Sequence, residues 1–147
     1  MRTITKPLIE DHPELLTLWE ESVRATHDFL GNADILAYKK LIGDNYLQSL
    51  NLYCIRSERG ISGFIGLSGK LIQMLFVHPH YMNQGIGRAL VNFAISKHKA
   101  FEVDVNEQNT SALKFYKSLG FEAFDRFDTD DAGKPFPILS LSLNVNR

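Results

Sequence analysis

The sequence predicts an α+β fold: one central, mixed, mostly antiparallel twisted sheet of about seven strands, with about four helices on its faces, a three-layer arrangement of α/β type. Three observations carry that expectation. Segments of strand and helix character follow one another as strand, two helices, three strands, helix, strand, helix, two strands. The 147 residues suffice for one core and contain no repeat, low-complexity tract or Pro/Gly-rich linker, so residues 1–147 read as a single domain. The stretch LIQMLFVHPHYMNQGIGRALV, Leu71 to Val91, passes from an apolar strand through a polar turn and two glycines into an amphipathic helix.

RTITKPL is a short first strand. Asp11, with Pro13 close behind and Glu14 three residues on, marks a helix start, after which Leu15, Leu18, Trp19, Ser22, Val23 and Thr26 keep helical spacing until Gly31 closes the region. A second helix of weaker periodicity runs from about Ala33 to Leu47. NLYCIRS and ISGFIGLSG flank the polar tip ERG as a hairpin, and KLIQMLFV is the next strand. Gln84 to His98 is the strongest helix, because Ile86, Ala89, Leu90, Phe93 and Ala94 share a face with Lys97. FEVDV is a short strand, and Asn109 to Leu119 is a helix stopped by Gly120. FEAFDRFD and ILSLSLNV are the last strands, around the turn TDDAGKPFP.

Composition excludes several functions. A formal net charge of −1 argues against a nucleic-acid or anionic-membrane partner. The lone Cys54 excludes an intrachain disulfide and fits a reducing cytoplasm; in the apolar run LYCI it reads as an inert buried thiol. No apolar run reaches the length of a membrane span, and the N-terminus lacks a signal-peptide core, so a soluble cytoplasmic protein is expected.

The double glycine, Gly85-Ile86-Gly87, sits where the unpaired N–H groups of a helix N-terminus carry partial positive charge, a seat for phosphate. A Walker A loop would need Gly-Lys-Ser/Thr, and a Rossmann fingerprint a third small residue where Leu90 stands. Alone, a G-x-G more often only shapes a turn and eases helix packing. Downstream, however, NEQNTSALKFYKSLGF holds Asn109, Ala112, Phe115, Tyr116, Gly120 and Phe121 in N-x-x-A-x-x-F-Y-x-x-x-G-F. Together with LFVHPHYMNQGIGRAL, this pattern resembles the GCN5-related N-acetyltransferase (GNAT) family over the whole chain in element order. SVRATHDFL and DDAGKPFPILSL further resemble its small bacterial members.

The resemblance implies the GNAT fold. It also implies acetyl-coenzyme A (acetyl-CoA) as co-substrate, with no metal, and an amine of a small molecule or peptide as acceptor, attacking directly in a ternary complex of a monomer or homodimer. It places the pyrophosphate on amides of Gln84, Gly85, Gly87 and Arg88, with Met82, Asn83 and Ala89 in the same loop and helix start. Met82 departs from the family's Gln or Arg, which removes a side-chain contact to phosphate. The pantetheine arm would run beside Leu75, Phe76 and Val77, with the N–H of Leu75 or Phe76 as oxyanion donor. Phe115 would lie against the cofactor. Asn109 would bond the pantetheine arm, although a helix N-cap is the commoner job for such an Asn.

Tyr116 matches the family's general acid. A phenol of pKa roughly 10 stays protonated at neutral pH and can donate to a departing thiolate; read from the chain alone, Tyr116 belongs to the inward stripe Ala112, Leu113, Tyr116, Leu119. Gln73 stands where related enzymes often carry an acid, which leaves His27, Glu21, His78, Asp104 and Glu107 as proton acceptors, His27 in ATHDFL being the most attractive, although a histidine in a last helical turn is favoured there by the helix dipole alone. From Met1 to Leu50 there are eight acidic and five basic residues, which either draw a cationic amine or form a solvated helix face. Asp130 or Asp131 would add acceptor contacts. A non-catalytic acyl-CoA-binding module is the alternative; a toxin modifying aminoacyl-tRNA would want a basic groove.

Overall fold

In the computed structural model, which describes residues 2–144, the strands are β1 (Ile4–Thr5), β2 (Asn51–Ser57), β3 (Gly60–Ser68), β4 (Leu71–Val77), β5 (Glu102–Asn106), β6 (Phe121–Phe127) and β7 (Ile138–Leu143). They form one sheet in the order β1-β2-β3-β4-β5-β7-β6. Every pairing is antiparallel except β4 with β5. The helices are α1 (His12–Thr26), α2 (Asn32–Leu41), the single turn α3 (Leu47–Ser49), α4 (Ile86–His98) and α5 (Thr110–Ser118). Element order and mixed sheet agree with the expectation. The predicted last strand ran on to Val145, which lies outside the described residues.

Two apolar clusters fill the two faces. Leu15, Leu18, Trp19 and Val23 of α1 meet Cys54, Phe64 and Met74 of the sheet. Ile86, Leu90, Val91 and Ala94 of α4 meet Ile55, Ile65 and Ile72 on the other face, with Tyr116 and Phe121. Gly63 lets α4 come close: a Cβ there would stand 2.6 Å from Ile86 Cγ2. Burial removes Cys54 from reactivity by raising its thiol, as a structural cysteine requires.

Three local differences from the sequence reading have physical causes. The first strand shortens to Ile4–Thr5 ahead of Pro7, which has no N–H for a ladder. Asp11 does not cap α1; a 3₁₀ turn precedes the helix, and the Asp11 carboxylate accepts from Leu8 N–H and from Arg56. Glu14 likewise turns away to accept from Ile61 N–H. The second helix keeps going, but through a π-helical turn, Ile42–Tyr46, before α3. A π turn aligns residues five apart, and Ile42 and Leu47 are both buried. Among the described residues no helix is long and apolar enough to cross a membrane.

Candidate active site

The site begins as a defect in the sheet. Strand β4 pairs with β5 only through Leu71↔Glu102 and Ile72↔Val103, and beyond them the strands part. On its other side β4 pairs Gly66↔Met74 and then Leu67↔Ile72, so Gln73 is an extra residue, a β-bulge. His78 N–H bonds Ser62 O at 2.8 Å. Antiparallel alternation then turns Phe76 toward β3, and Leu75 and Val77 toward the gap. Of the two oxyanion donors the sequence left open, Leu75 is the one whose amide faces the opening.

The gap widens into a cleft of about 690 Å³ that reaches the start of α4. Asn83 and Gly85 both have left-handed backbone, with φ of 61° and 84°, and wrap the chain under the helix end. The first helical bond there is Ala89 N–H to Gly85 O at 3.0 Å, so the amides of Ile86, Gly87 and Arg88 lie ahead of it. A Cβ on Gly87 would approach Phe115, Val77 and Leu75, the walls of the cleft. Ala89 spends its amide inside the helix and does not line the cleft; nor does Gln84, whose side chain reaches back to His80 O. Both were expected at the cofactor, and neither lines the cleft. Leu75, Phe76, Val77, Met82, Asn83, Gly85, Gly87, Arg88, Asn109, Phe115 and Tyr116 all line it.

Helix α5 forms the far wall. Asn109 caps it, Oδ1 accepting Ala112 N–H at 3.1 Å. Tyr116 is 4% exposed and packs against Phe115 and Phe121. Among the described residues no sealed side-chain polar atom lacks a partner, and none bonds the Tyr116 hydroxyl, so that oxygen opens into the cleft. Burial pushes the phenol above its ordinary value, which keeps it protonated.

His27 lies at the end of α1, across the cleft. Thr26 Oγ1 donates to Ser22 O, and therefore accepts from His27 Nδ1–H at 2.7 Å. Nε2 then carries the lone pair and faces Asn109 Nδ2–H at 3.4 Å. Burial pushes His27 down to about 4, so the ring is neutral. A base that weak, already facing a donor, orients Asn109 and is ill suited to remove a proton from an amine, against the sequence's choice. The other candidates divide sharply. Glu21 and His78 pair with each other at 2.6 Å, and His78 Nδ1 also accepts from His80 N–H; neither lines the cleft. Glu107 is engaged by Arg126. Asp104 lines the cleft.

Behind His27, Phe76, Gln73 and Met74 lies a second cavity of about 210 Å³. Its walls are Trp19, Leu30, Tyr38, Ile42 and Tyr46, with Asp130 and Asp131 opposite. Asp130 is structural: it accepts from the amides of Ala132 and Lys134 and from the Tyr38 hydroxyl. Asp131 has no partner among the described residues. Sequence reasoning missed the bulge at Gln73, the tautomer-setting Thr26, and Arg2, whose guanidinium donates to Gln84 O beside the loop. The dipeptide Thr26-His27 was a readable signal; nothing in the sequence announced Arg2.

A family profile for the acetyltransferase (GNAT) domain matches residues 48–123. The peptidyl-lysine N-acetyltransferase YjaB of Salmonella typhimurium is 37% identical over 96% of this chain and 97% of its own. The chain belongs to the GNAT acetyltransferase family. A solution structure of apo YjaB from Escherichia coli superposes with a TM-score of 0.88, at 37% identity, over 97% of both chains. The PaiA N-acetyltransferase of Thermoplasma acidophilum, solved with coenzyme A, shares this GNAT fold at 20% identity and TM-score 0.74, over 95% of this chain and 98% of its own. This GNAT chain is an N-acetyltransferase, and its cleft is the part of the fold to be explained by that activity.

Proposed function

We propose that this enzyme moves the acetyl group of acetyl-CoA onto the side-chain amine of a peptide lysine, in the cytoplasm, by direct attack in a ternary complex. The observation that carries the reading is the meeting of two cavities at one wall, with the Tyr116 hydroxyl opening into the larger cavity. Coenzyme A fits the larger one. A row of amides at the α4 N-terminus and the helix dipole suit its pyrophosphate, and glycine at 87 keeps that approach open. The outward amide of Val77 suits the pantetheine arm. Acetyl-CoA supplies an activated acyl carbon on a sulfur leaving group.

The chain's own groups supply the rest. Leu75 N–H donates to the acyl oxygen as charge grows there. Asn109, its Oδ1 used in the cap and one Nδ2 hydrogen aimed at His27, has a second Nδ2 hydrogen for the arm. Tyr116 enters protonated and donates its O–H to the departing sulfur. The smaller cavity offers aromatic and aliphatic walls for four methylenes, with carboxylates among its lining, which suits lysine. Two relatives that are peptidyl-lysine N-acetyltransferases by name, YjaB of two organisms, support the same acceptor class.

Incubation with acetyl-CoA and peptides bearing either a lysine side chain or only an α-amine tests the reading. Thiol release with acetylation mapped to lysine is expected. Tight acetyl-CoA binding without thiol release on any amine would establish a binding module instead.

A further inference from the structure

The proton leaving the acceptor nitrogen needs a destination, and the cleft has few. His27 is neutral, hydrogen-bonded on Nδ1 and facing a donor on Nε2. Gln73 is an amide. Asp104 remains. It stands on β5 between Val103 and Val105, whose side chains join the core beneath α4 and α5. Strand alternation therefore turns Asp104 to the opposite face, toward α1 and α2. It lines both cavities, a property it shares with His27, Gln73, Met74, Phe76 and Asn106, and of these it alone carries a carboxylate.

Its geometry is set from behind. Asp104 sits directly across from Ser140 in the β5–β7 ladder, and Ser140 Oγ, itself buried, donates to Asp104 Oδ1 at 2.7 Å. The second oxygen takes no hydrogen bond among the described residues. The other titratable groups lining the smaller cavity are His27 from α1, Tyr38 from α2, Tyr46 from the π turn, and Asp130 and Asp131 from the β6–β7 loop. None of them is cationic, so the lining of the smaller cavity offers no counter-ion to Asp104, which is solvent-exposed and open to an incoming ammonium.

We propose that Asp104 is a catalytic carboxylate, at the junction of the two cavities, that binds the acceptor ammonium and takes the proton its nitrogen sheds as the amide forms. The inference rests on the transferase reading above. The ammonium first loses one proton to water. Its lone pair then forms the C–N bond to the acyl carbon, the C–S bond breaks, and that electron pair stays on sulfur. Nitrogen becomes strongly acidic as the C–N bond forms, and its second proton passes to Asp104 and on to solvent. Tyr116 protonates the sulfur and recovers a proton from water. One proton is released overall.

The test compares Asp104→Asn with wild type on a lysine peptide and on the same peptide with an aminooxy side chain, whose nitrogen is uncharged at neutral pH. Acetyl-CoA binding is measured in parallel by titration calorimetry. On lysine, kcat/KM is expected to fall about a hundredfold; on the aminooxy peptide, which needs no ammonium contact but still sheds one proton, the loss shrinks to about tenfold and lies in kcat, and acetyl-CoA affinity holds. Ser140→Ala, which frees Oδ1, gives a smaller loss of the same selectivity. Equal activity of wild type and Asp104→Asn on lysine, an equal loss on both peptides, or weakened acetyl-CoA binding would each overturn the assignment. Inactivity of the wild type on every amine would instead refute the transferase reading.

Discussion

The two halves of the cleft are built from different material. On the side proposed for coenzyme A, the parts that matter are backbone: the unpaired edge of β4 past the Gln73 bulge, and the amides held under α4 by left-handed Asn83 and Gly85. On the acceptor side they are side chains tied in pairs. Tyr38 bonds Asp130, Lys134 pairs with Asp34 at 3.1 Å, and Phe29 packs on Phe136. A backbone-built site tolerates exchange of most side chains and is broken by a misplaced Cβ. A side-chain-built site can change its ligand without changing the fold. In the proposed reading the first half fixes which donor is used, and the second selects the acceptor.

The largest effect belongs to the hydroxyl that opens into the larger cavity. Tyr116→Phe keeps the ring packing against Phe115 and Phe121 and removes one hydroxyl that no group among the described residues holds. We expect kcat to fall by about two to three orders of magnitude, with acetyl-CoA affinity unchanged by calorimetry. Retained turnover across a pH series would take Tyr116 out of proton donation. Next comes the backbone half. Gly87→Leu puts a side chain against Leu75, Val77 and Phe115, inside the cleft. It also replaces glycine in a helix, which favours folding by about 1 kcal/mol. Acetyl-CoA affinity should drop more than about thirtyfold while the melting temperature holds or rises. Loss of both together would mean that the position packs the fold and does not shape the ligand path.

At the seam, His27 gives a pH signature. Burial lowers it from the usual 6.5 to about 4, so between those values the unfolded chain binds a proton that the folded chain refuses. Stability present above pH 6.5 is lost as the pH falls to 4, by about 3 kcal/mol from this group alone. In His27→Gln that contribution is absent. The stability difference between wild type and variant, from urea midpoints, should therefore shift toward the variant on acidification from pH 7 to pH 5. A difference constant over that range would show that the ring is not buried neutral.

How much of this could be read from the chain follows the same division. Glycines at 85 and 87 and the N-x-x-A-x-x-F-Y pattern leave marks in sequence, because backbone geometry restricts residue type at fixed spacing. Helix faces were legible for the same reason. The Gln73 bulge was not, since a one-residue slip in register is fixed by two neighbouring strands together. The acidic bias of the first fifty residues read as a steering field or a solvated face. In the fold it is largely consumed in local ties: Asp11 to Arg56, Glu20 to Arg24 and Lys39, Glu21 to His78, Asp34 to Lys134. Partners such as Tyr38 and Asp130 lie 92 positions apart, and no pattern in one chain links them.

The smallest expected effect sharpens the acceptor half. Tyr38→Phe deletes the hydroxyl that donates to Asp130, and leaves Asp130 with its two amide donors, Ala132 and Lys134. The loop between β6 and β7 should keep its turn and lose one anchor across the cavity. One hydrogen bond to a partly exposed carboxylate is worth about 1 kcal/mol, so KM for the lysine peptide should rise about fivefold. kcat and the KM for acetyl-CoA should stay put, because neither the phosphate seat nor Tyr116 touches this tie. Asp34→Asn, which weakens the Lys134 pair at the same loop, should act in the same direction, and the double variant should fall short of additive because both ties hold one segment. A change in kcat instead would mean that the loop reaches the reacting atoms, and that acceptor binding and chemistry are not divided between the two halves as the geometry divides them.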